Sequence, residues 1–133
     1  MKRFANTDIG LLVLRIGLAI GLFTNHGWEK LARFGEMAQS FPDPLHVGKT
    51  TGLVFALLSD SICSILVALG LFTRISSIIL IINMSVAFFV FWEAAITKPE
   101  GELPFIYLVA YIMIVISGAG KFSLDYLIKN RQK

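Results

Sequence analysis

The sequence predicts an all-α fold, an integral membrane four-helix bundle with both termini in the cytoplasm. Three observations predict it. The 133 residues are 56% hydrophobic and only 16% charged, against about 25% charged in an average soluble domain. Mean hydropathy is +0.74. The apolar residues gather in four blocks, roughly 9–31, 52–71, 75–96 and 104–120, most of them near the ~20 residues that a helix needs to cross a ~30 Å hydrocarbon layer and the fourth shorter. A chain of this length is expected to form a single domain.

The first block opens "MKR" like a secretory signal. It has no small-x-small cleavage site, and its apolar run exceeds the 7–15 residues of a signal core, so it is expected to stay as a helix. Residues 32–51 form the outer loop, with Phe41, Pro42 and Pro44 suited to a lid or a partner contact. The second and third blocks are joined by a short turn, and the fourth extends toward Lys121. Orientation follows the basic residues. The side with both termini holds seven (Lys2, Arg3, Arg74, Lys121, Lys129, Arg131 and Lys133) and the other holds four (Lys30, Arg33, Lys49 and Lys98).

Ionisable groups within a bilayer are costly and turn into the bundle. Arg15 and His26 are eleven residues apart, which at 100° per residue is about three turns plus 20°, so they share a face. Glu29, Lys30 and Asn25 fall at about −40°, +60° and −80° from Arg15, flanking that stripe. By rise per residue, His26 lies roughly 7 Å and Asp60 roughly 12 Å below the outer ends of their helices. Glu93 comes to the same outer level beside Trp92, and Tyr107 and Tyr111 share a face of the fourth helix. The expectation is an outer-half pocket of His26, Asp60, Glu93 and Tyr111, with Arg15 and Asn83 as its floor.

Plainer readings stand beside this one. Trp28, Trp92 and Tyr107 suit an interfacial aromatic belt, and Lys30 a snorkelling anchor rather than a ligand group. Arg15 and Asp60 serve either as a structural ion pair or as functional groups, although their estimated depths differ by over ~10 Å. Asn83 reads as interhelical glue.

Several chemistries are disfavoured. The single cysteine, Cys63, has no resolving partner for intramolecular dithiol exchange and reads as packing. His26 and His46 are poor candidates for a haem pair, since His46 sits in the proline-bearing loop. No metal-spaced ligand set or phosphate-cradling glycine loop is present, so neither metal nor haem is expected. The basic residues flank the membrane rather than forming a face for nucleic acid. Redox chemistry would need an organic cofactor or a partner subunit.

"LRIGLAIGLFTNHGWEKL" (residues 14–31) resembles the first helix of the DoxX family, with its Arg followed by His-Gly-x-x-Lys. "DSICSILVALGLFTRISSIILIINM" (60–84) is similar to that family's second helix, turn and third helix, and "GAGKFSLD" (118–125) to its ending. Asp60 and Cys63–Ser64 stand where the family commonly has Glu and a Gly-Gly pair, and Trp92–Glu93 where some members have a His. The resemblance implies a small four-helix protein of the bacterial inner membrane, associated with respiratory or redox-stress oxidoreductases. On that footing the pocket is expected to hold a quinone: Arg15, His26 and Asn83 donating hydrogen bonds, Asp60 and Glu93 carrying protons, and Tyr111 packing on the ring. The chain would then be an oxidoreductase subunit without its own redox centre, contacting lipid and either a protein partner or further copies of itself. The alternative is a non-enzymatic scaffold or assembly partner with a structural polar core. A solute or lipid carrier ranks last, since no inverted repeat or broken helix pair supports it.

Overall fold

The computed structural model describes residues 2–43 and 45–132, with the side chains of 2–5 excepted. Pro44 and Lys133, and the side chains of Lys2 and Arg3, invoked above for the loop and for orientation, lie outside the described residues.

Four helices long and apolar enough to cross a membrane run at Asn6–Ala32, Lys49–Leu69, Thr73–Phe91 and Pro99–Ser117; they are called α1, α3, α4 and α5. A short helix α2 (Phe34–Ser40) lies in the first loop, and α6 (Leu124–Arg131) closes the chain. No strand occurs among the described residues. The up-and-down order leaves both chain ends at one end of the bundle, the terminal end, and the two longer connections at the other, the loop end. Leu22 of α1, Val67 of α3, Leu80 of α4, and Tyr111 and Ile114 of α5 fill the centre. Many other large apolar side chains face outward, including Ile20, Ile62, Ile82 and Ile116. That inversion of a soluble surface suits hydrocarbon.

The spacing between spans is set by small residues. Ser59, Ser64, Ser76, Ser77, Ala19, Ala56 and Gly27 are buried, and such residues let backbones approach where lipid offers no hydrophobic drive. Gly27 is a close backbone approach between α1 and α3: an added Cβ would lie 2.8 Å from the Asp60 carbonyl oxygen. Ser59 and Ser64 satisfy themselves within α3, Ser59 Oγ donating to the Ala56 carbonyl at 3.0 Å and Ser64 Oγ to those of Asp60 at 2.7 Å and Ser61 at 2.9 Å.

Three spans contain a wide π-type turn: Phe23–Gly27 in α1, Leu58–Cys63 in α3 and Val86–Phe91 in α4. Such bulges add a residue to one turn and rotate the side chains that follow. They carry His26 and Asp60 and end α4 at the loop end, so the helices are irregular just where their polar side chains converge.

Helix ends differ from the hydropathy blocks for local reasons. α4 stops at Phe91, not 96, because Glu93 (φ 49°) and Ala94 (φ 56°) take left-handed conformations that terminate it. α5 starts at Pro99 rather than near 104, with proline in its first turn, where a missing N–H costs nothing. Gly70 (φ 71°) closes α3: its N–H reaches the Val67 carbonyl at 3.1 Å and that of Leu71 reaches Leu66 at 2.9 Å. This Schellman arrangement needs the left-handed residue that glycine supplies most cheaply.

Candidate functional site

A cavity of about 700 Å³ opens at the loop end between all four spans. α1 contributes Leu22, His26 and Lys30, α3 Phe55 and Asp60, α4 Asn83 and Met84, and α5 Pro104 and Tyr107. Phe41 and Pro42 of the first loop and Trp92 of the second complete the wall. The loop is held in place: the Asp43 carboxylate accepts from the N–H groups of Val47 at 3.0 Å and Gly48 at 3.1 Å, and Phe41 lies against Gly52.

The polar groups meet at one point. Lys30 Nζ lies 2.7 Å from Asp60 Oδ2, with both side chains at most 10% exposed. Asn83 Nδ2 donates to the other carboxylate oxygen at 3.0 Å. Lys30 also donates to the His26 carbonyl at 3.4 Å, and the half-buried His26 ring lines the same cavity. Three spans thus meet on one carboxylate, and burying it is tolerable because an ammonium and an amide share its charge.

The structure assembles His26, Asp60 and Asn83 as the sequence analysis expects, and separates the other three. Arg15 is not a floor to this cavity and does not pair with Asp60. It is fully buried at the terminal end, where Nη1 donates to the carbonyls of Val67 and Ala68 at 3.1 Å each and Nη2 to that of Phe122. A cation there complements the exposed carbonyls of the α3 C-terminus. Glu93 is exposed beyond the end of α4, since the left-handed turn carries it out of line with the helix, and it does not line the cavity, whereas Glu100 and Asp43 do. Tyr111 lies one turn too deep: its ring stacks on Tyr107 at 6.3 Å, its hydroxyl has no hydrogen-bond partner among the described residues, and only Tyr107 reaches the cavity.

Lys30 is the correction with most weight. It is buried and paired rather than snorkelled to the surface. Its place on the Arg15–His26 stripe was the available signal. Trp28 is 61% exposed, as a lipid-facing belt residue should be, whereas Trp92 and Tyr107 also line the cavity. His46 is exposed in the loop, and Cys63 packs in the core cluster.

At the terminal end the "GAGKFSLD" segment acts as a clasp. Asp125 accepts from the N–H groups of Phe72 at 2.8 Å and Thr73 at 2.9 Å, capping α4, while its own N–H donates to the Gly70 carbonyl at 2.8 Å. Asp8 of α1 accepts from the Lys121 N–H at 3.1 Å, and Ser123 caps α6 through the Tyr126 N–H. The motif residues around Arg15 and Asp125 therefore serve the architecture.

Comparison with known proteins agrees with this architecture. An uncharacterized protein of Haemophilus influenzae is 32% identical over 129 residues, spanning 92% of this chain and 85% of the relative. No solved structure matches the chain. The DoxX family model matches residues 10–93, which include most of α1, all of α3 and α4 and the Lys30–Asp60–Asn83 cluster, and the chain belongs to the DoxX family, as a multi-pass membrane protein.

Proposed function

We propose that this chain is a membrane subunit that binds a quinone headgroup in the loop-end cavity and works beside a respiratory or redox-stress oxidoreductase. Its setting is the bacterial cytoplasmic membrane, termini inward. The supporting observation is the Lys30–Asp60 pair opening onto a largely apolar cavity of about 700 Å³. Ligand pockets of ~300–1,000 Å³ combine apolar walls with a few placed polar groups in this way.

The residues fit such a ligand. A quinone offers two carbonyl acceptors on a flat apolar ring. Lys30 spends one N–H on Asp60 and one on the His26 carbonyl, which leaves a third of its three donors. The His26 imidazole and the Tyr107 hydroxyl add donors from α1 and α5. A bound quinone supplies reversible two-electron, two-proton chemistry; the electrons come from a partner. The chain's own part is to orient the ring, exclude water with Phe41, Pro42 and Trp92, and hold protons on a His26 ring nitrogen and on the Asp60 carboxylate.

The test is extraction of protein gently purified from its own membranes, with quinone quantified against bulk lipid by mass spectrometry. Wild type should be enriched, and His26→Ala and the paired variant Lys30→Met with Asp60→Leu should not. Equal content in a folded paired variant would sink the quinone reading.

A second reading has its own support. The same cluster ties α1, α3 and α4 together, as a scaffold or assembly partner with a structural polar core requires. In that case the paired apolar variant would keep its partner and its fold, with no quinone enriched in either protein.

A further inference from the structure

We infer a second binding site, at the terminal end, for the phosphodiester headgroup of an anionic phospholipid. A pocket of about 240 Å³ lies between the start of α4, the turn at Gly118–Gly120 and α6. Two cations line it, Arg74 and Lys129. The salt bridges among the described residues are Lys30–Asp60, Arg33–Glu29 and Arg33–Glu36, so neither cation is paired with a carboxylate. The acid in the pocket wall is Asp125, and both of its oxygens already accept backbone N–H groups. The Thr73 hydroxyl borders the same pocket, buried and without a hydrogen-bond partner among the described residues.

The pocket is shaped around the guanidinium. Gly118 holds φ 81°, and a Cβ there would lie 3.4 Å from Arg74 Nη2. The planar guanidinium is a fork suited to two phosphate oxygens, and Lys129 supplies a point charge from a different element.

Position selects a lipid over a free phosphate. The pocket sits where α4 begins and α5 ends, at the level of headgroups if these helices span. Leu124, Leu127 and Ile128 follow the i, i+3, i+4 spacing and are all exposed on one side of α6. That is the pattern of a helix lying in the interface with its apolar face toward the acyl region. Ile75, beside Arg74, is 61% exposed and Ile116, before Gly118, 75% exposed. These offer apolar surface for the chains of a lipid whose phosphate sits between the cations.

The experiment is native mass spectrometry of the full-length protein in detergent with added dioleoylphosphatidylglycerol, dioleoylphosphatidylcholine or inorganic phosphate. Wild type should retain one phosphatidylglycerol in preference to phosphatidylcholine, undisturbed by millimolar phosphate. At about a factor of five per basic residue against an anionic headgroup, Arg74→Gln or Lys129→Gln should weaken retention about fivefold and the double variant about thirtyfold. Lys98→Gln, at the loop end, should change nothing. Both side chains are exposed, so the variants should fold, with helical melting as the check. Unchanged retention in the double variant overturns the site. Displacement of the lipid by inorganic phosphate, or equal retention of phosphatidylcholine, overturns its assignment to an anionic lipid.

Discussion

Lys30 of α1 and Asp60 of α3 form an ion pair at 2.7 Å inside the bundle, and Asn83 of α4 donates to the same carboxylate. The pair holds three spans together and also presents charge to a cavity, so structure and ligand binding rest on the same atoms. Removing one partner leaves a buried charge without compensation, whereas replacing both with apolar groups need not. Lys30→Met should therefore cost about 3–5 kcal/mol, seen as a lowered melting temperature in detergent. Adding Asp60→Leu should recover most of that loss. If the double variant melts no higher than Lys30→Met, the pair is not the source of the stability.

Gly27 of α1 lies against the Asp60 backbone of α3, and the lack of a side chain there lets Lys30, one turn on, reach Asp60. Gly27→Ala places a Cβ 2.8 Å from the Asp60 backbone oxygen, which has no flexible end to swing aside. The helices must part, at about 1–3 kcal/mol for such overpacking. Gly17→Ala is the matched control, with nothing within 4 Å of its Cβ, and should be neutral or slightly stabilising. Equal melting temperatures for the two variants would refute a tight contact at Gly27.

How far this was legible in the sequence depends on the residue. Hydropathy located the spans, and the eleven-residue step from Arg15 to His26 correctly read both as facing inward. It did not show that one stripe serves two ends of the bundle: Arg15 reaches carbonyls at the terminal end and His26 the loop-end cavity. Lys30 was harder, because a long flexible amine near a helix end ordinarily snorkels, and only a carboxylate on another helix decides otherwise. The π-type turns shift the angular arithmetic, since 100° per residue does not hold across them and the exact angles of the side chains that follow cannot be read from spacing. Glu93 was misplaced for a backbone reason: nothing in "FWEAAIT" marks Glu93 and Ala94 as left-handed.

Arg15 should behave as a clamp rather than a ligand group. Its fork donates to carbonyls of Val67, Ala68 and Phe122, from two separate segments. A lysine there keeps the charge but not the fork. Arg15→Lys should lose at least one charged hydrogen bond, worth about 1.5–3 kcal/mol, in thermal melting. Quinone content per folded molecule should match wild type. A variant of normal stability but depleted quinone would put Arg15 back in the binding site.

Asp125 caps α4 from outside that helix, accepting from Phe72 and Thr73 while its own N–H returns to the Gly70 carbonyl. The carboxylate is acceptor-only, which suits two N–H donors at a helix N-terminus, where the dipole also favours negative charge. Asp125→Asn keeps one acceptor oxygen and turns an amide donor toward the second N–H; Asp125→Ala loses both bonds. The expected loss is about 1–2 kcal/mol for alanine, with asparagine between alanine and wild type. Amide hydrogen exchange separates a lost cap from a general weakening. The Phe72 and Thr73 amides should exchange faster in both variants, while those around Asn83 keep their protection. If protection instead falls equally along all of α4, the Asp125 contacts stabilise the bundle as a whole rather than the end of one helix.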